Sequence, residues 1–381
     1  NMAKILTNQQ IKKNTRLTFG TCQIPTLGLS AIQPPSQHEK HSRFELVLDC
    51  ITLNSAQIQR LAALNLQQEM VQQLKERNYV KLQIKETESV SKPPLPPNTL
   101  KLQQFVKMPA HETMKFAEML YTKGIISYPR TETTQFTFNE DRIQQILQQI
   151  HGQYQQYCQK LLNSVSYAQY LKTLVKQKGK TDEAHPPIHP LKYQQLDGGE
   201  QIVYDAVVRL FLASVSHECV KVIQNYECQL GKVEFHATKT FIKEPGFMEI
   251  LYGQKPEVIP PVTSGLLKEV KELSAKQVQH VHEKMTQNAL IQKMDEHGIG
   301  TDATIADHIK NIIERGYVDK QLQAEEAGGG ITQLYQKINK VMVSTAFRAW
   351  MEAGIREVIH GKSASVVHDD VIREAIVVYD N

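Results

Sequence analysis

A segment running from Gly124 to Thr133 (GIISYPRTET) leaves its backbone little conformational freedom. Gly124 ends a helix-like pattern, and Pro129 fixes its own φ angle while biasing the preceding residue toward an extended conformation. Tyr128 and Arg130 therefore project from alternate positions of a short, stiff segment. A phenol beside a guanidinium suits phosphoryl transfer, because a nearby cation favours the phenolate and neutralises phosphate charge. Residue types alone also permit a buried tyrosine beside a solvated arginine.

The composition is compatible with a nucleic-acid partner. The chain has 381 residues, which is long enough for two or three domains. Its net charge of +4 allows a basic binding surface. No apolar run approaches the roughly 18 residues of a membrane span, and no signal-peptide pattern opens the chain. Five scattered cysteines without a C-x-x-C pair argue against a disulfide scaffold or a zinc ribbon. We therefore expect a protein of the nucleus or cytoplasm that is neither secreted nor membrane-bound.

Three further segments carry candidate functional residues. Gln23 lies in a glycine- and proline-punctuated stretch (FGTCQIPTLG) that predicts a compact loop. His185 and His189 lie in AHPPIHP, where the prolines forbid the helix on which two histidines four apart could share a metal ion. The stretch from Gly298 to Thr304 (GIGTDAT) precedes a predicted helix, and such a loop can bind an anion through free backbone N–H groups or act as a plain turn.

The hydrophobic pattern predicts strands, then helices around Tyr128, then strands again. Strands are expected over 43–51 and 79–85, and a hairpin is expected around a turn at Gly231 and Lys232. Predicted helices include 112–123, with Tyr121 on its core face, 140–150 capped by Asn139, 200–217 and 288–297. The prolines of 92–97 predict a domain connection, and taken alone they would also suit a ligand of an SH3-type domain. Residues 325–330 are expected to form a shortened loop, and Trp350 is expected in the core.

Several segments in the same order resemble type IA DNA topoisomerases, within them the topoisomerase III branch, and more the beta than the alpha paralogue. They are CQIPTLG, ISYPRTET, AHPPIHP, KEPGF and GIGTDAT. The resemblance implies a multidomain α+β fold, the type IA toroid of helical domains plus a β-rich arch. It implies a helical DNA-binding domain (1–35 and 286–381), a β-rich arch or gate domain (36–98 and 218–285) and a catalytic tyrosine domain (99–217).

The resemblance also implies a reaction and its residues. Tyr128 would attack single-stranded DNA to give a 5′-phosphotyrosine intermediate, with Arg130 and His185 at the scissile phosphate, in a strand-passage reaction that needs no ATP. His189 is expected to be structural. The residues implied to contact DNA are Gln23, Gly298, Gly300, Thr301 and Asp302. RNA as a second substrate and an accessory protein partner, as in the topoisomerase III family, are left open.

One family feature has no counterpart in the sequence. Type IA enzymes begin with a Toprim domain whose Asp-x-Asp carboxylates hold Mg²⁺, and the chain has no Asp-x-Asp and begins at Asn1. We therefore expect either a fragment of a longer enzyme, inactive or incomplete without that domain, or a catalytically incomplete homologue that only binds single-stranded nucleic acid. A tyrosine recombinase is disfavoured, because its tyrosine would lie near the C-terminal end.

Overall fold

The computed structural model describes residues 22–31, 41–278, 285–301, 304–338, 345–367 and 369–370. The chain forms two compact units. The first comprises residues 1–34, 95–211 and 283–381, and the second comprises residues 35–94 and 212–282. The mixture of helices with a large antiparallel sheet confirms the α+β class. A finer division of the first unit into a helical and a tyrosine domain remains a prediction.

The second unit is built on an antiparallel sheet whose strand order is β2-β6-β5-β4-β7-β1-β3. The strands are β1 (His41–Leu48), β2 (Thr52–Ser55), β3 (Ile58–Gln59), β4 (Tyr79–Ser91), β5 (Cys219–Leu230), β6 (Val233–Glu244) and β7 (Leu266–Val278). Strand β1 also pairs with β2, which closes the row from β2 to β1 on itself. Alternate residues of β1 are buried, as expected for a strand with one face on a core.

One helix packs against the core face of the sheet, and β4 follows it in the chain. It spans Arg60–Glu76, and its Met70 packs with Phe44, Leu46 and Phe235 of the strands. The predicted hairpin is confirmed, because β5 and β6 pair across Leu230 and Val233. Gly231 takes a φ of 60° in that turn, a conformation that favours glycine.

The first unit is mainly helical. In chain order its helices are α1 (Gln23–Ala31), α3 (Thr99–Phe105), α4 (Ala110–Thr122), α5 (Glu140–Gln149), α6 (Gln155–Leu162), α7 (Tyr167–Leu174), α10 (Gln287–Glu296), α11 (Ile305–Glu314), α12 (Glu326–Ile338) and α13 (Thr345–Ile359). Three more α-helices are described. They are α2 (Arg60–Glu76), which packs on the sheet of the second unit, α8 (Gly198–Ser214) and α9 (Phe247–Tyr252). Within the described ranges, no helix is long and apolar enough to cross a membrane.

Helix ends follow the predicted local signals. The Asn139 side chain accepts a hydrogen bond from the Arg142 N–H at 3.2 Å and caps α5. Gly124 and Gly298 follow α4 and α10 with φ angles of 64° and 62°. Only a residue without a Cβ adopts this left-handed conformation without strain, so both glycines stop their helices where the sequence predicts.

The predicted loop over residues 325–330 is wrong, because Gly328 lies inside helix α12. A Cβ added to Gly328 would lie 1.9 Å from the backbone oxygen of Tyr317. The glycine therefore serves close helix-to-backbone packing, a long-range contact that turn propensity cannot anticipate. The core position predicted for Trp350 is also wrong, since its side chain is 41% exposed.

The triple glycine of α12 offers a matched test of this packing. We expect Gly328→Ala to lower the free energy of unfolding by about 1–3 kcal/mol, because the new methyl group overpacks against backbone. Gly329→Ala should raise it by about 0.5–1 kcal/mol, because helix propensity improves and a Cβ there meets nothing within 4 Å. Urea denaturation followed by circular dichroism measures both. Equal stabilisation by the two substitutions would refute the close contact.

Candidate active site

Two extended segments of the first unit lie side by side and bring Tyr128 to His185. Ile126 forms an isolated antiparallel bridge with Pro190. The Ser127 N–H donates to the His189 carbonyl at 2.9 Å, and the His189 N–H donates to Ser127 Oγ at 2.9 Å. Because prolines keep residues 186–190 out of a helix, this segment remains available to pair with the tyrosine segment.

The tyrosine segment is fastened to the start of helix α3 by Thr99, which is fully buried. The Thr99 hydroxyl donates to the Pro129 carbonyl at 2.7 Å, and its oxygen accepts from the Thr131 N–H at 2.8 Å. The Thr99 N–H in turn donates to the Thr131 carbonyl at 3.1 Å. These bonds hold the backbone on both sides of Arg130, so the segment that carries Tyr128 has a fixed path.

The carboxylate of Asp182 joins the two segments. It accepts hydrogen bonds from the hydroxyls of Thr131 at 2.9 Å and Thr133 at 3.1 Å. It also accepts from the backbone N–H groups of Ala184 at 3.0 Å and His185 at 2.8 Å. Burial alone would raise the pKa of Asp182, but these hydrogen bonds favour the charged form and lower the pKa to about 2. Asp182 is thus a fixed negative charge at neutral pH.

The same carboxylate orients the imidazole of His185. His185 Nδ1 lies 3.3 Å from Asp182 Oδ2, a geometry in which Nδ1–H donates and Nε2 is the nitrogen left to exchange a proton. The backbone reaches this position through Glu183, whose φ of 60° is in the left-handed region. A non-glycine residue in that conformation is strained, and such strain is often found at functional sites.

Tyr128 is half-buried between two aromatic rings. Its ring centroid lies 4.6 Å from that of His185, with 33° between the planes, and 5.2 Å from that of Tyr121, which meets it edge-on at 72°. The predicted position of Tyr121 on the core face of its helix is wrong, because its side chain is 46% exposed. Leu120 takes the core position in α4, so Tyr121 is turned about 100° away, toward Tyr128.

Arg130, predicted to clamp a phosphate, is held by an ion pair with helix α4. Its Nε donates to Glu118 Oε1 at 2.6 Å, and both side chains are partly exposed to solvent. Glu118 lies three residues before Tyr121, so one face of α4 contacts both Arg130 and Tyr128. Phosphate binding by Arg130 remains a prediction. His189, in contrast, is buried, as expected of a structural residue, and burial lowers its pKa.

The hydrogen bond of the Gln23 side chain is made with Arg315 and not with the residues around Tyr128. The predicted loop around it is wrong, because Gln23–Ala31 form helix α1, and Pro25 falls in the first turn, where a missing N–H costs little. The Gln23 side chain is only 5% exposed, and its Oε1 accepts a hydrogen bond from Arg315. Its Nε2 has no hydrogen-bond partner among the described residues. DNA contact by Gln23 remains a prediction.

The loop after α10 is shaped by its own hydrogen bonds. The N–H groups of Gly298 and Ile299 donate to carbonyls of α10 at 3.0 and 2.8 Å, and the Thr301 N–H donates to Thr304 Oγ1 at 2.9 Å. These three amides are therefore engaged rather than open to an anion. Gly300 takes a φ of 81°. Asp302 lies outside the described residues, and DNA contact by Gly298, Gly300, Thr301 and Asp302 remains a prediction.

A cavity of about 740 Å³, here called the loop cavity, opens beside this loop. It is lined by Asn98, Leu100, Glu132, Lys180 and Thr181 on the tyrosine side, by residues 295–298, Gly300 and Thr301 of the loop, and by Ala349, Ala353 and Glu357 of α13. Glu132 belongs to the tyrosine segment, so the cavity adjoins both that segment and the predicted DNA-binding loop. Its carboxylates outnumber its cations, which disfavours a phosphate deep inside.

The Mg²⁺ implied by the family resemblance does not fit the described residues. Across the described ranges, no group of three or more His, Cys, Asp or Glu side chains is arranged to hold a metal ion. The Asp182 carboxylate is already saturated by hydroxyl and amide donors, so it is not a ready metal ligand.

Sequence reasoning missed Asp182, Thr131, Thr133, Thr99, Tyr121 and Glu118 as parts of the site. A signal existed for two of them, because Thr131 and Thr133 alternate along an extended segment and so share one face. Asp182 precedes His185 by three residues, a spacing that suits an Asx-type turn. Glu118 and Thr99 are brought to the site only by tertiary packing, and nothing local marks them.

The sequence comparisons identify a family match over most of the chain. The family model described as DNA topoisomerase matches residues 1–367. DNA topoisomerase 3 of Caenorhabditis elegans is 34% identical over 271 residues, covering 68% of this chain and 34% of that protein. DNA topoisomerase 3-alpha of Drosophila melanogaster is 31% identical over 403 residues, covering 95% of this chain and 30% of that protein.

The beta paralogue matches to a similar degree. Human DNA topoisomerase 3-beta-1 is 29% identical over 381 residues, covering 91% of this chain and 42% of that protein. The greater likeness to beta therefore remains a prediction. The chain spans between about a third and two fifths of the length of these relatives.

A solved structure supports the fold. Full-length topoisomerase I from Thermotoga maritima superposes with a TM-score of 0.72 at 20% sequence identity. The alignment covers 99% of this chain and 65% of that one. At this level of identity the likeness establishes the fold alone.

The Asp182 network predicts a pH-dependent stability. We expect Asp182→Asn to lower the free energy of unfolding by about 1–3 kcal/mol at neutral pH, because buried donors lose a charged acceptor. The pKa of Asp182 falls from 3.8 to about 2 on folding, so its contribution is complete above about pH 5 and is lost as the pH falls toward 2.

Urea denaturation of both proteins at several pH values measures this difference. Glu183→Gln is the matched control, since the side chain is exposed, and it should leave the free energy of unfolding unchanged. A difference between wild type and Asp182→Asn that grows on acidification would contradict the assignment.

Proposed function

Because the chain belongs to the DNA topoisomerase family, as a type IA, topoisomerase III-like member, we propose that it carries the nucleophile of an ATP-independent enzyme that cleaves and rejoins single-stranded DNA. The observation that supports this most is the packing of Tyr128 against His185, whose imidazole is oriented by Asp182. A nucleophile, a proton-exchanging group and a third group that orients it form a recurrent arrangement in nucleophilic catalysis.

Cleavage exchanges one phosphate ester for another. Tyr128 Oη attacks the scissile phosphorus, a new O–P bond forms, and the bond to the 3′ oxygen breaks. The phenolic proton leaves Tyr128, and a proton is taken up by the departing oxygen, which becomes a free 3′ hydroxyl. The 5′ phosphate stays on Tyr128. The reverse reaction restores the strand after a second strand has passed, and no ATP is consumed because the ester is retained.

His185 and Arg130 act on the phosphate in this proposal. His185 Nε2 can donate to a phosphate oxygen or pass a proton, because Asp182 accepts from Nδ1. Arg130 stabilises the charge that develops on the phosphate. Tyr121 holds the Tyr128 ring from the other side.

Substrate binding extends beyond the tyrosine. The proposed DNA contacts are Gln23, Gly298, Gly300, Thr301 and Asp302, in the helical part of the three-domain division expected from the sequence. RNA and an accessory protein are further proposed partners, and the proposed compartment is the nucleus or the cytoplasm. Mg²⁺, when bound, would neutralise phosphate charge, and its proposed ligands are the carboxylates of a Toprim domain rather than any described residue.

Replacement of the nucleophile tests the proposal. We expect Tyr128→Phe to abolish the covalent adduct with a 3′-end-labelled single-stranded oligonucleotide, because only the attacking oxygen is removed. The assay uses the chain together with a Toprim-containing fragment and Mg²⁺, with denaturing electrophoresis as the readout. Tyr121→Phe is the matched control, since it removes a hydroxyl from the neighbouring ring, and its adduct should persist.

Single-strand affinity separates the proposal from its alternative. Tyr128→Phe should bind single-stranded DNA as tightly as wild type, because the ring and its packing remain. Adducts formed by Tyr128→Phe would show that another residue is the nucleophile. A wild-type chain that binds the strand but forms no adduct in the presence of the Toprim fragment would favour a homologue that only binds nucleic acid.

A further inference from the structure

Trp350 is the chain's single tryptophan, and it lies on the surface of α13. Its side chain is 41% exposed. Large aromatic side chains are usually well covered, because each buries much apolar surface when a protein folds. An exposed indole beside a concave surface is therefore a candidate for contact with a ligand.

A second cavity, here called the tryptophan cavity, opens against this indole. Its volume is about 140 Å³, and it is lined by Trp350, Ala353, Gly354, Glu357, Lys362, Val367 and Asp370. A cavity of about 150 Å³ can hold a benzene-sized ring. The space beside Trp350 is therefore on the scale of one flat ring.

The two cavities are neighbours along α13. Ala349, Ala353 and Glu357 line the loop cavity, and they follow each other at intervals of four residues on one face of the helix. Ala353 and Glu357 line the tryptophan cavity as well. The alanines present little bulk, so a strand whose phosphates stay outside the loop cavity can send one base past Ala353 to Trp350.

Charge indicates which end of a nucleotide would enter. The lining of the tryptophan cavity holds two carboxylates, Glu357 and Asp370, and one cation, Lys362. Lys362 Nζ donates to Glu357 Oε2 at 2.7 Å. Carboxylates repel a phosphate but accept hydrogen bonds from the amino and imino groups of a base. A base also presents a flat π-face, which stacks on an aromatic side chain.

We infer that Trp350 is a stacking platform for one nucleobase of the single strand that runs beside the loop of Gly298 to Thr301. This inference rests on the proposed binding of single-stranded DNA and adds to it a specific subsite. Neither the adduct chemistry at Tyr128 nor the predicted backbone contacts require this subsite, so it can fail alone. The ligand class is a nucleobase, from either DNA or RNA.

The single tryptophan makes the subsite directly observable. Titration of the full 381-residue chain with oligothymidylate should quench its tryptophan fluorescence, because only Trp350 emits. An oligothymidylate analogue made of abasic residues should bind without the quench. Oligouridylate in a parallel titration distinguishes an RNA source of the base from a DNA source.

Variants test the energetic contribution. Trp350→Ala should weaken binding of labelled oligothymidylate about tenfold, because base stacking on an aromatic ring is lost. Trp350→Phe should retain most of the affinity. The dependence of affinity on salt should be the same in all three proteins, because no phosphate contact changes. Tyr252→Ala, which removes an aromatic ring that is 59% exposed in the second unit, should have no effect.

The outcomes separate the two claims. Binding by wild type with neither quenching nor weakening by Trp350→Ala would overturn the stacking subsite and leave the proposed function standing. Equal weakening of the abasic strand by Trp350→Ala would also overturn it, because no base could then be involved. A wild-type chain that binds no single strand would overturn both the subsite and the proposed function.

Discussion

The carboxylate of Asp182 is the interaction on which the candidate active site depends. Within the described residues it accepts five hydrogen bonds: two from threonine hydroxyls of the tyrosine segment, two from the backbone amides of Ala184 and His185, and one from His185 Nδ1. A charged acceptor strengthens each of these bonds relative to a neutral one. This carboxylate therefore fixes the position of the tyrosine segment relative to the segment that carries His185, although the two lie about fifty residues apart in the chain.

The proposed function depends on the groups that surround the Tyr128 ring. The Asp182 network orients His185 on one side of the Tyr128 ring, and helix α4 supplies Tyr121 to the same ring and Glu118 to Arg130. The proposed nucleophile, Tyr128, is therefore positioned by a helix and by an extended segment that is hydrogen-bonded to Thr99. Catalysis at a phosphodiester relies mainly on such positioning and on charge stabilisation. A tyrosine held in a fixed position is therefore consistent with the family's chemistry.

Local features of the fold could be predicted because local rules control them. The cap at Asn139, the helix stops at Gly124 and Gly298 and the hairpin turn at Gly231 each depend on a few adjacent residues. Tyr128, Arg130 and His185 could be proposed because motifs carry them. Gly328 within α12 and Glu118 beside Arg130 could not, because each is explained by a contact with a distant part of the chain. Packing decided these positions, and propensity did not.

The most direct measurement identifies the atom that holds the DNA. A single-stranded oligonucleotide is reacted with the chain, a Toprim-containing fragment and Mg²⁺, the adduct is digested with a protease, and the nucleotide-bearing peptide is sequenced by mass spectrometry. The account predicts that the peptide contains residues 124–133 with the oligonucleotide joined through its 5′ phosphate to Tyr128. Attachment at any other residue, or through a 3′ phosphate, would contradict it.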